Sequence, residues 1–367
     1  MIPFKKIKFV LLGLSITSTW GNGHASTYRS LIKGLHACGH RIVFLERDNF
    51  EFASTRDRIT FPYCIVYLYH SIVDLKKRFL NIILEADCTI VGSFLQDGSS
   101  IGRWIQSLRS GITAFYDLNT PVTFSKLEMG DWEYIAPNLI PGYDLYLSTT
   151  GGLLLRILEL KYNSPKALPL YCSFNPEDYF VQLEEEKWEL GYLGTFSSEK
   201  HAALKRFLLD VAIVKRNRQF VVAGSHYPHE LPLPGNVEQI GYLAPEKHRD
   251  FYCSQRFTLN LTRPDMKFWG YSPNIRLFEA AACATPIISD SWEGMDTVFV
   301  PGSEILIVKN KWEIIEILND MPESERRLIG QNAYNRVMTD HTSIHRAMLL
   351  ESCIYETKTM MENNMII

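Results

Sequence analysis

The hydrophobic pattern of the first half of the chain alternates between short apolar runs and longer amphipathic segments. Each apolar run has the length of a strand buried on both faces, and each amphipathic segment has the length of a helix. This alternation is typical of βαβ units around a parallel sheet. It predicts strands over residues 8–16, 41–46, 64–69, 88–92, 112–117 and 145–148, and helices over 25–38, 72–84 and 101–108.

The same alternation starts again after a polar stretch at residues 175–188 and ends in a helical segment. The pattern therefore predicts an α/β protein with two Rossmann-like, doubly wound domains facing a central cleft, and a helical C-terminus. The predicted domains are 1–173 and 189–322, joined by a linker over 174–188 and followed by C-terminal helices over 323–367. The second domain's predicted strands are 190–196, 219–223, 257–261, 286–289 and 305–308, and the predicted helices after residue 188 are 199–215, 274–283, 312–318, 323–338 and 343–358.

Composition narrows the class of protein. A length of 367 residues suits two domains, and a net charge of −3 argues against broad binding to nucleic acid or to an anionic membrane. Seven cysteines without a C-x-x-C pair indicate free thiols in a reducing, cytoplasmic setting. The N-terminal basic and apolar stretch has some character of a signal peptide. It lacks a small-residue cleavage site, so we interpret it as a buried first strand, and no run is long enough to predict an integral membrane segment.

The loop after the first strand carries the first candidate chemistry. Gly21 and Gly23 allow a tight turn or a close backbone approach, and the helix that follows presents free amides to an anion or a polar ligand. A dinucleotide-binding oxidoreductase is an alternative here, with Glu46 at the end of the next strand holding a ribose. Its G-x-G-x-x-G pattern is incomplete, because Ser26 stands where the third glycine is expected.

His24 is the candidate general base, since an imidazole at the mouth of a strand can accept a proton from a hydroxyl. Asp117, at the end of another predicted strand, is the candidate that orients it, and Asp97 is a second candidate. The structural alternatives are that His24 only caps its helix and that the aspartates only form turns.

The second domain carries a candidate anion site. Ser272 and Asn274 precede a predicted helix whose N-terminal amides are free, and Arg263 and Lys267 lie just before it. Positive charge beside a helix N-terminus suits a diphosphate. Glu279 lies inside that helix among apolar residues. Either it forms a surface pair with Arg276, or it is buried and needs a partner such as a ribose diol.

These residues resemble a known family. The run G-Y-S-P-N-I-R-L-F-E-A-A-A-C-A-T-P-I-I-S-D is similar to the donor-binding region of GT-B glycosyltransferases. The motifs T-W-G-N-G-H and F-Y-D-L-N-T-P-V-T resemble more narrowly the CgeB-like (spore maturation protein B) group. The resemblance implies that the first domain holds an acceptor and the second holds a nucleotide-diphosphate sugar.

The resemblance also implies roles for single residues. Glu279 aligns with the second glutamate of the E-x7-E motif, which binds ribose, whereas Tyr271 replaces the first, a departure from the retaining enzymes. His24 matches the base of inverting enzymes, which an aspartate such as Asp117 orients. Thr195 lies in the turn expected at the diphosphate, and Gly241 and Tyr242 lie in the loop expected at the nucleobase.

We therefore expect a metal-independent glycosyltransferase without a cofactor, in which Arg263, Lys267 and helix N-termini neutralise the leaving diphosphate. The chain has no D-x-D motif. The rival interpretations are the NAD- or FAD-linked oxidoreductase and a non-catalytic GT-B-like protein that binds glycans or assembles on a surface. The acceptor is open between a glycan, a small molecule and a protein. The aromatic residues that could stack on it are Trp20, Trp104, Tyr116 and Trp132.

Overall fold

The computed structural model describes residues 6–228 and 231–364, and it divides the chain into two compact units. The first unit is Met1–Tyr171 together with Ser343–Ile367, and the second is Cys172–Thr342. The basic residues predicted to precede the first strand, up to Lys5, lie outside the described residues, as do the last three residues of the predicted C-terminal helices.

The first unit is built on a seven-stranded sheet in the order β3-β2-β1-β4-β5-β6-β7, and every pairing is parallel. The central strands consist of apolar residues because helices cover both faces. The strands are β1 (Lys8–Gly13), β2 (Arg41–Arg47), β3 (Ile65–Tyr69), β4 (Cys88–Gly92), β5 (Ile112–Asp117), β6 (Leu145–Ser148) and β7 (Ala167–Pro169). The helices are α1 (Gly23–Ala37), α2 (Phe50–Ala53), α3 (Ile72–Leu84), α4 (Gly98–Leu108), α5 (Thr120–Met129) and α6 (Leu153–Leu160), with a 3-10 turn at Pro137–Gly142.

The second unit is built on a six-stranded parallel sheet in the order β10-β9-β8-β11-β12-β13. The strands are β8 (Trp188–Leu193), β9 (Phe220–Ala223), β10 (Val237–Ile240), β11 (Gln255–Asn260), β12 (Ile287–Ser289) and β13 (Leu306–Ile307). The helices are α7 (Ser198–Leu204), α8 (Asp210–Val214), α9 (His248–Cys253), α10 (Pro264–Trp269), α11 (Ile275–Ala282), α12 (Lys311–Asp320) and α13 (Glu323–Asp340), with 3-10 turns at Pro245–Lys247 and Met295–Thr297.

The prediction of two α/β units with parallel sheets and a helical C-terminus is confirmed, and the differences are local. Residues 174–188, predicted as a linker, belong to the second unit, where Phe174 forms a bridge with Thr342. The predicted helix 199–215 is interrupted by a π-helical turn at Lys205–Leu209. The pattern missed β10, an edge strand whose Glu238 and Gln239 are exposed and polar.

The last helix, α14 (Ser343–Asn364), belongs to the first unit and packs along α1. Arg346 Nε donates to the Tyr171 carbonyl over 3.1 Å, and Lys166 Nζ pairs with Glu356 over 2.8 Å. At Gly34 the helices approach so closely that a Cβ would overlap the carbonyl group of Ser343. Because Gly34 has no side chain, α14 can pack directly on α1 and cover the core of the first unit.

All seven cysteines are free thiols. Over residues 6–228 and 231–364, no helix combines the length and the apolar character needed to cross a membrane.

We expect Gly34→Ala to lower the free energy of unfolding by about 1–3 kcal/mol, because the new methyl group meets backbone that cannot rotate away. Chemical denaturation of the full chain measures this. The matched control is Gly235→Ala, where nothing lies within 4 Å of the new Cβ. Equal stability of the two variants would contradict the close packing of α1 on α14.

Candidate active site

The loop between β1 and α1 is held by a buried carboxylate. Glu46, at the end of β2, accepts hydrogen bonds from Ser15 Oγ at 3.0 Å and from the amides of Ile16 and Thr17 at 2.7 and 3.0 Å. This assignment corrects the sequence-based alternative in which Glu46 holds a ribose. The carboxylate belongs to the protein's own loop, so the oxidoreductase interpretation loses its ribose-binding residue.

His24 lies at the start of α1, directly after the turn that Glu46 supports. Gly21 has a φ of 61°, and Asn22 Oδ1 caps the helix by accepting from the His24 amide at 3.1 Å. A Cβ on Gly23 would meet nothing within 4 Å, so the turn is open at that residue. The His24 ring is half-buried and meets Phe94 edge to face, with centroids 5.0 Å apart.

Burial also sets the protonation of His24. Its Nδ1 is enclosed and has no hydrogen-bond partner among the described residues. Desolvation lowers the pKa of His24 from 6.5 to about 4, because the charged imidazolium loses water without gaining a carboxylate. The ring is therefore neutral at pH 7, as a general base must be.

Asp117 does not orient His24, and this corrects the predicted pairing. Its buried carboxylate accepts from Tyr146 Oη at 2.6 Å, Thr123 Oγ1 at 2.9 Å and the Asn119 amide at 3.1 Å. Burial raises the pKa of Asp117. The second candidate, Asp97, forms an ion pair with Arg47 instead. Both aspartates lie at the carboxyl ends of strands in the same sheet, but neither carboxylate forms a hydrogen bond with His24.

In the second unit, the turn after β8 is surrounded by cations. Gly194 lies directly against the guanidinium of Arg276, since a Cβ there would be 2.6 Å from Arg276 Nη2. Lys200 Nζ donates to the Thr195 carbonyl over 3.1 Å. Burial, with the charges of Arg276 and Arg263 nearby, lowers the pKa of Lys200. We call Lys200, Arg263 and Arg276 the cationic cluster.

Sequence reasoning missed two members of this cluster. The sequence alone presents Arg276 as a surface partner of Glu279. Its guanidinium donates instead to the Leu193 carbonyl and to Asn260 Oδ1, the latter over 3.1 Å, and lies 4.8 Å from the Tyr192 ring centroid. One feature of the sequence indicates Lys200 as a ligand for an anion: it lies in the first turn of the helix that follows a glycine-containing turn.

Several buried polar atoms near the cationic cluster lack partners. Buried polar groups are nearly always hydrogen-bonded, so a group of unpaired atoms at one sheet edge indicates a polar ligand. The atoms, among the residues that the structure describes, are Ser197 Oγ, His201 Nδ1 and Tyr227 Oη.

The other predicted cation, Lys267, is less available. Its Nζ pairs over 2.7 Å with Asp290, which is 3% exposed and also accepts from the Thr262 amide. Arg263 donates from Nη2 to Asp265 over 2.7 Å, and its Nε lies 3.7 Å from Glu199 Oε2. Of the two cations predicted from sequence, Arg263 is the better ligand for an anion, because its partners Asp265 and Glu199 are more exposed than Asp290 and hold it less strongly.

The residues before α11 leave that helix without a side-chain cap. Asn274 turns its Nδ2 toward Asn260 Oδ1, 3.2 Å away, and its side chain does not cap the helix. Ser272 is buried beside it. Tyr271 has a φ of 46°, an uncommon left-handed backbone for a bulky residue, and its amide donates to the Glu293 carbonyl over 2.6 Å.

The buried carboxylate of Glu279 accepts hydrogen bonds from two tyrosines. Tyr179 Oη donates to one carboxylate oxygen at 2.8 Å, and Tyr252 Oη donates to the other at 3.1 Å. His248 Nδ1 lies 3.8 Å from the second oxygen. His248 also reaches the loop that contains Gly241 and Tyr242, because its Nε2 is 3.1 Å from the Leu243 carbonyl.

One segment of the chain, mostly within the second unit, is similar to a known family. Residues 200–352 match the family model described as "Glycosyl transferase-like". This segment contains the cationic cluster and Glu279, and it excludes His24. Among curated proteins, no sequence matches this chain.

Solved structures with a similar fold match nearly the whole chain. Sucrose-phosphate synthase from Thermosynechococcus elongatus has a TM-score of 0.70 at 14% identity, covering 96% of this chain and all of that one. An alpha-glucosyltransferase in complex with UDP-glucose and DNA containing an abasic site has a TM-score of 0.72 at 12% identity, with the same coverage. HepE from Anabaena, in complex with UDP and glucose, has a TM-score of 0.67 at 11% identity, covering 95% of this chain and all of that one. The GT-B fold predicted from the sequence is confirmed.

We expect inorganic pyrophosphate to raise the melting temperature of the protein, because an anion that binds the folded cationic cluster stabilises it by mass action. Differential scanning fluorimetry should show a smaller increase for Arg263→Gln, which removes one cation of the cationic cluster. The control Lys309→Gln removes an exposed charge of the same unit and should keep the full increase. Identical responses of all three proteins would exclude an anion site at the cluster.

Proposed function

We propose that this chain is a glycosyltransferase that moves a sugar from a nucleotide-diphosphate sugar to an acceptor hydroxyl. The observation that carries the proposal is the cationic cluster with its unpaired polar atoms. The cluster lies within the segment that matches a glycosyl transferase-like family. Two of the similar structures hold UDP with a sugar, which supports the same ligand class for this chain.

The cationic cluster would bind the diphosphate and stabilise the negative charge that develops as the sugar leaves. Lys200, Arg263 and Arg276 supply positive charge at the edge of the sheet, and fixed charges in a partly buried site need no reorganisation during the reaction. The amides of Thr195 and of the α11 N-terminus, with Ser272, Asn274 and Lys267, would complete the phosphate contacts. In this proposal the protein's own cations perform the neutralisation, so transfer is metal-independent.

The nucleoside would bind beside the same cluster. A carboxylate offers about four lone-pair sites, and the two tyrosines occupy only one on each oxygen of Glu279. Glu279 can therefore still accept from a ribose hydroxyl while Tyr179 and Tyr252 hold it in place. Gly241 and Tyr242 would contact the base, and Tyr271 would form part of the donor pocket in place of a carboxylate.

His24 would act on the acceptor. Its ring is neutral at pH 7 because burial lowers its pKa to about 4, so it can take the proton of an attacking hydroxyl. Gly21 and Gly23 leave the turn open for a ligand. Asp117 contributes by fixing the turn from β5 to α5, where it binds the Asn119 amide and the Thr123 hydroxyl.

The motifs around His24 and Asp117 support a narrower assignment to the CgeB-like group. The motif T-W-G-N-G-H follows β1, and the motif F-Y-D-L-N-T-P-V-T runs from the end of β5 into α5. The acceptor class stays open. The net charge of −3 argues against nucleic acid, although one of the similar structures contains DNA. A cytoplasmic location remains a prediction.

We expect one class of nucleotide sugar to stabilise the protein and to be hydrolysed slowly without an acceptor. A thermal-shift panel of UDP-, GDP-, ADP- and dTDP-sugars identifies the donor, and chromatography detects the released sugar. Stabilisation without hydrolysis or transfer would favour a non-catalytic glycan- or nucleotide-binding protein. No stabilisation by any of the four would contradict the proposal.

We expect His24→Gln to lower kcat by about 10²–10⁴-fold, because the acceptor hydroxyl loses its base. Donor affinity, measured by calorimetry with the donor that the panel identifies, should not change. The matched control is His36→Gln, an exposed histidine near the end of the same helix, which should keep wild-type kcat. A fully active His24→Gln enzyme would rule out this base.

A further inference from the structure

The His24 ring is the first of three aromatic rings that contact one another in sequence within the first unit. It meets Phe94 edge to face at 5.0 Å with an interplanar angle of 73°, and Phe94 stacks on Tyr134 at 5.0 Å and 22°. We call these residues the aromatic ladder. Its members come from α1, from the loop after β4 and from the segment after α5, so three separate parts of the chain converge on the candidate base.

The far end of the aromatic ladder is tied to Asp117. Tyr134 Oη lies 3.0 Å from Thr123 Oγ1, and the Thr123 hydroxyl donates to Asp117 over 2.9 Å. A hydroxyl has a single proton. Because Thr123 uses its proton on the carboxylate, Tyr134 must donate to Thr123. The buried carboxylate thus fixes the tyrosine, and the tyrosine ring supports Phe94.

The backbone at Phe94 shows that its ring position is imposed by its surroundings. Its φ is 62°, the left-handed region that a bulky residue rarely adopts. Flanking hydrogen bonds hold it there: the Ser93 amide donates to the Tyr116 carbonyl, and the Leu118 amide donates to Ser93 Oγ, both over 3.0 Å. Strain of this kind persists only where surrounding structure fixes it, and it is common at functional sites.

We infer that Phe94 and Tyr134 are positioning residues for His24, an inference that rests on the proposed function. Their rings form an apolar wall that fixes the imidazole and excludes water from its Nδ1 side. Asp117 therefore does act on His24, but through Thr123 and the aromatic ladder instead of through a hydrogen bond. The wall keeps the base neutral, where a carboxylate partner would favour the charged form.

The charged groups on the neighbouring elements do not counteract the lowering of the His24 pKa by burial. Asp97, in the loop of Phe94, pairs with Arg47, and Lys126 of α5 pairs with Asp131. Tyr28, one turn along α1, is fully buried, and Asp117 is bound by hydroxyls and an amide. Burial is the cause that lowers the pKa of His24 to about 4.

The test is the titration of His24 in Phe94→Gly. Glycine adopts a positive φ freely, so this variant removes the ring without straining the backbone. NMR of histidine-labelled protein follows the imidazole, and His24→Ala assigns its signal. In Phe94→Gly we expect the midpoint of the His24 titration to rise from about 4 toward 6.5. The pH at which kcat falls to half on the acid side should rise with it. Phe94→Tyr keeps a ring and should keep the midpoint near 4.

An unchanged His24 midpoint in folded Phe94→Gly would overturn the inference. If Phe94→Gly does not fold, Phe94→Asn takes its place, since asparagine also tolerates the left-handed region. The NMR midpoint does not require activity. A shifted midpoint in a protein that transfers no sugar would therefore support the aromatic ladder and contradict only the proposed function.

Discussion

In both sheets, the loops at the carboxyl ends of the strands depend on one interaction, the hydrogen bonds that they donate to buried carboxylates. Glu46 holds the turn before α1, Asp117 holds the turn into α5, and Asp290 holds the residues after β11. Each carboxylate is buried, so each must be bound by donors from the protein itself. These bonds turn irregular loops at the carboxyl ends of parallel strands, where open α/β sheets bind their ligands, into rigid surfaces.

The same interaction explains which groups remain for a ligand. Amides and hydroxyls of the protein donate to these three carboxylates, and Lys267 also pairs with Asp290. His24 and the cationic cluster form no ion pair with any of the three. Arg276 and Lys200 rest on the neutral carbonyl groups of Leu193 and Thr195, which orient the cations without cancelling their charge. A chain with a net charge of −3 can therefore present a positive surface to a diphosphate.

Sequence predicts the fold of this protein well, because strands buried in a parallel sheet must be apolar along their whole length. Strands β4, β5 and β6 begin and end where the pattern places them, whereas the polar edge strand β10 gives no such signal. The site is harder to predict. Arg276 and Glu279 are three residues apart on one helix, yet Arg276 contacts the end of β8 and Glu279 contacts two tyrosines. Such choices depend on tertiary neighbours, which spacing along the chain does not specify.

The central claim is that the second unit recognises the diphosphate of a nucleotide sugar through the cationic cluster. The most direct measurement is calorimetric titration of the full chain with UDP, GDP and ADP, each compared with its nucleoside. The account expects one diphosphate to bind about 10²-fold more tightly than its nucleoside, a difference of ~2.7 kcal/mol, and expects added salt to reduce that difference. Equal affinity for every nucleoside and its diphosphate would contradict the claim.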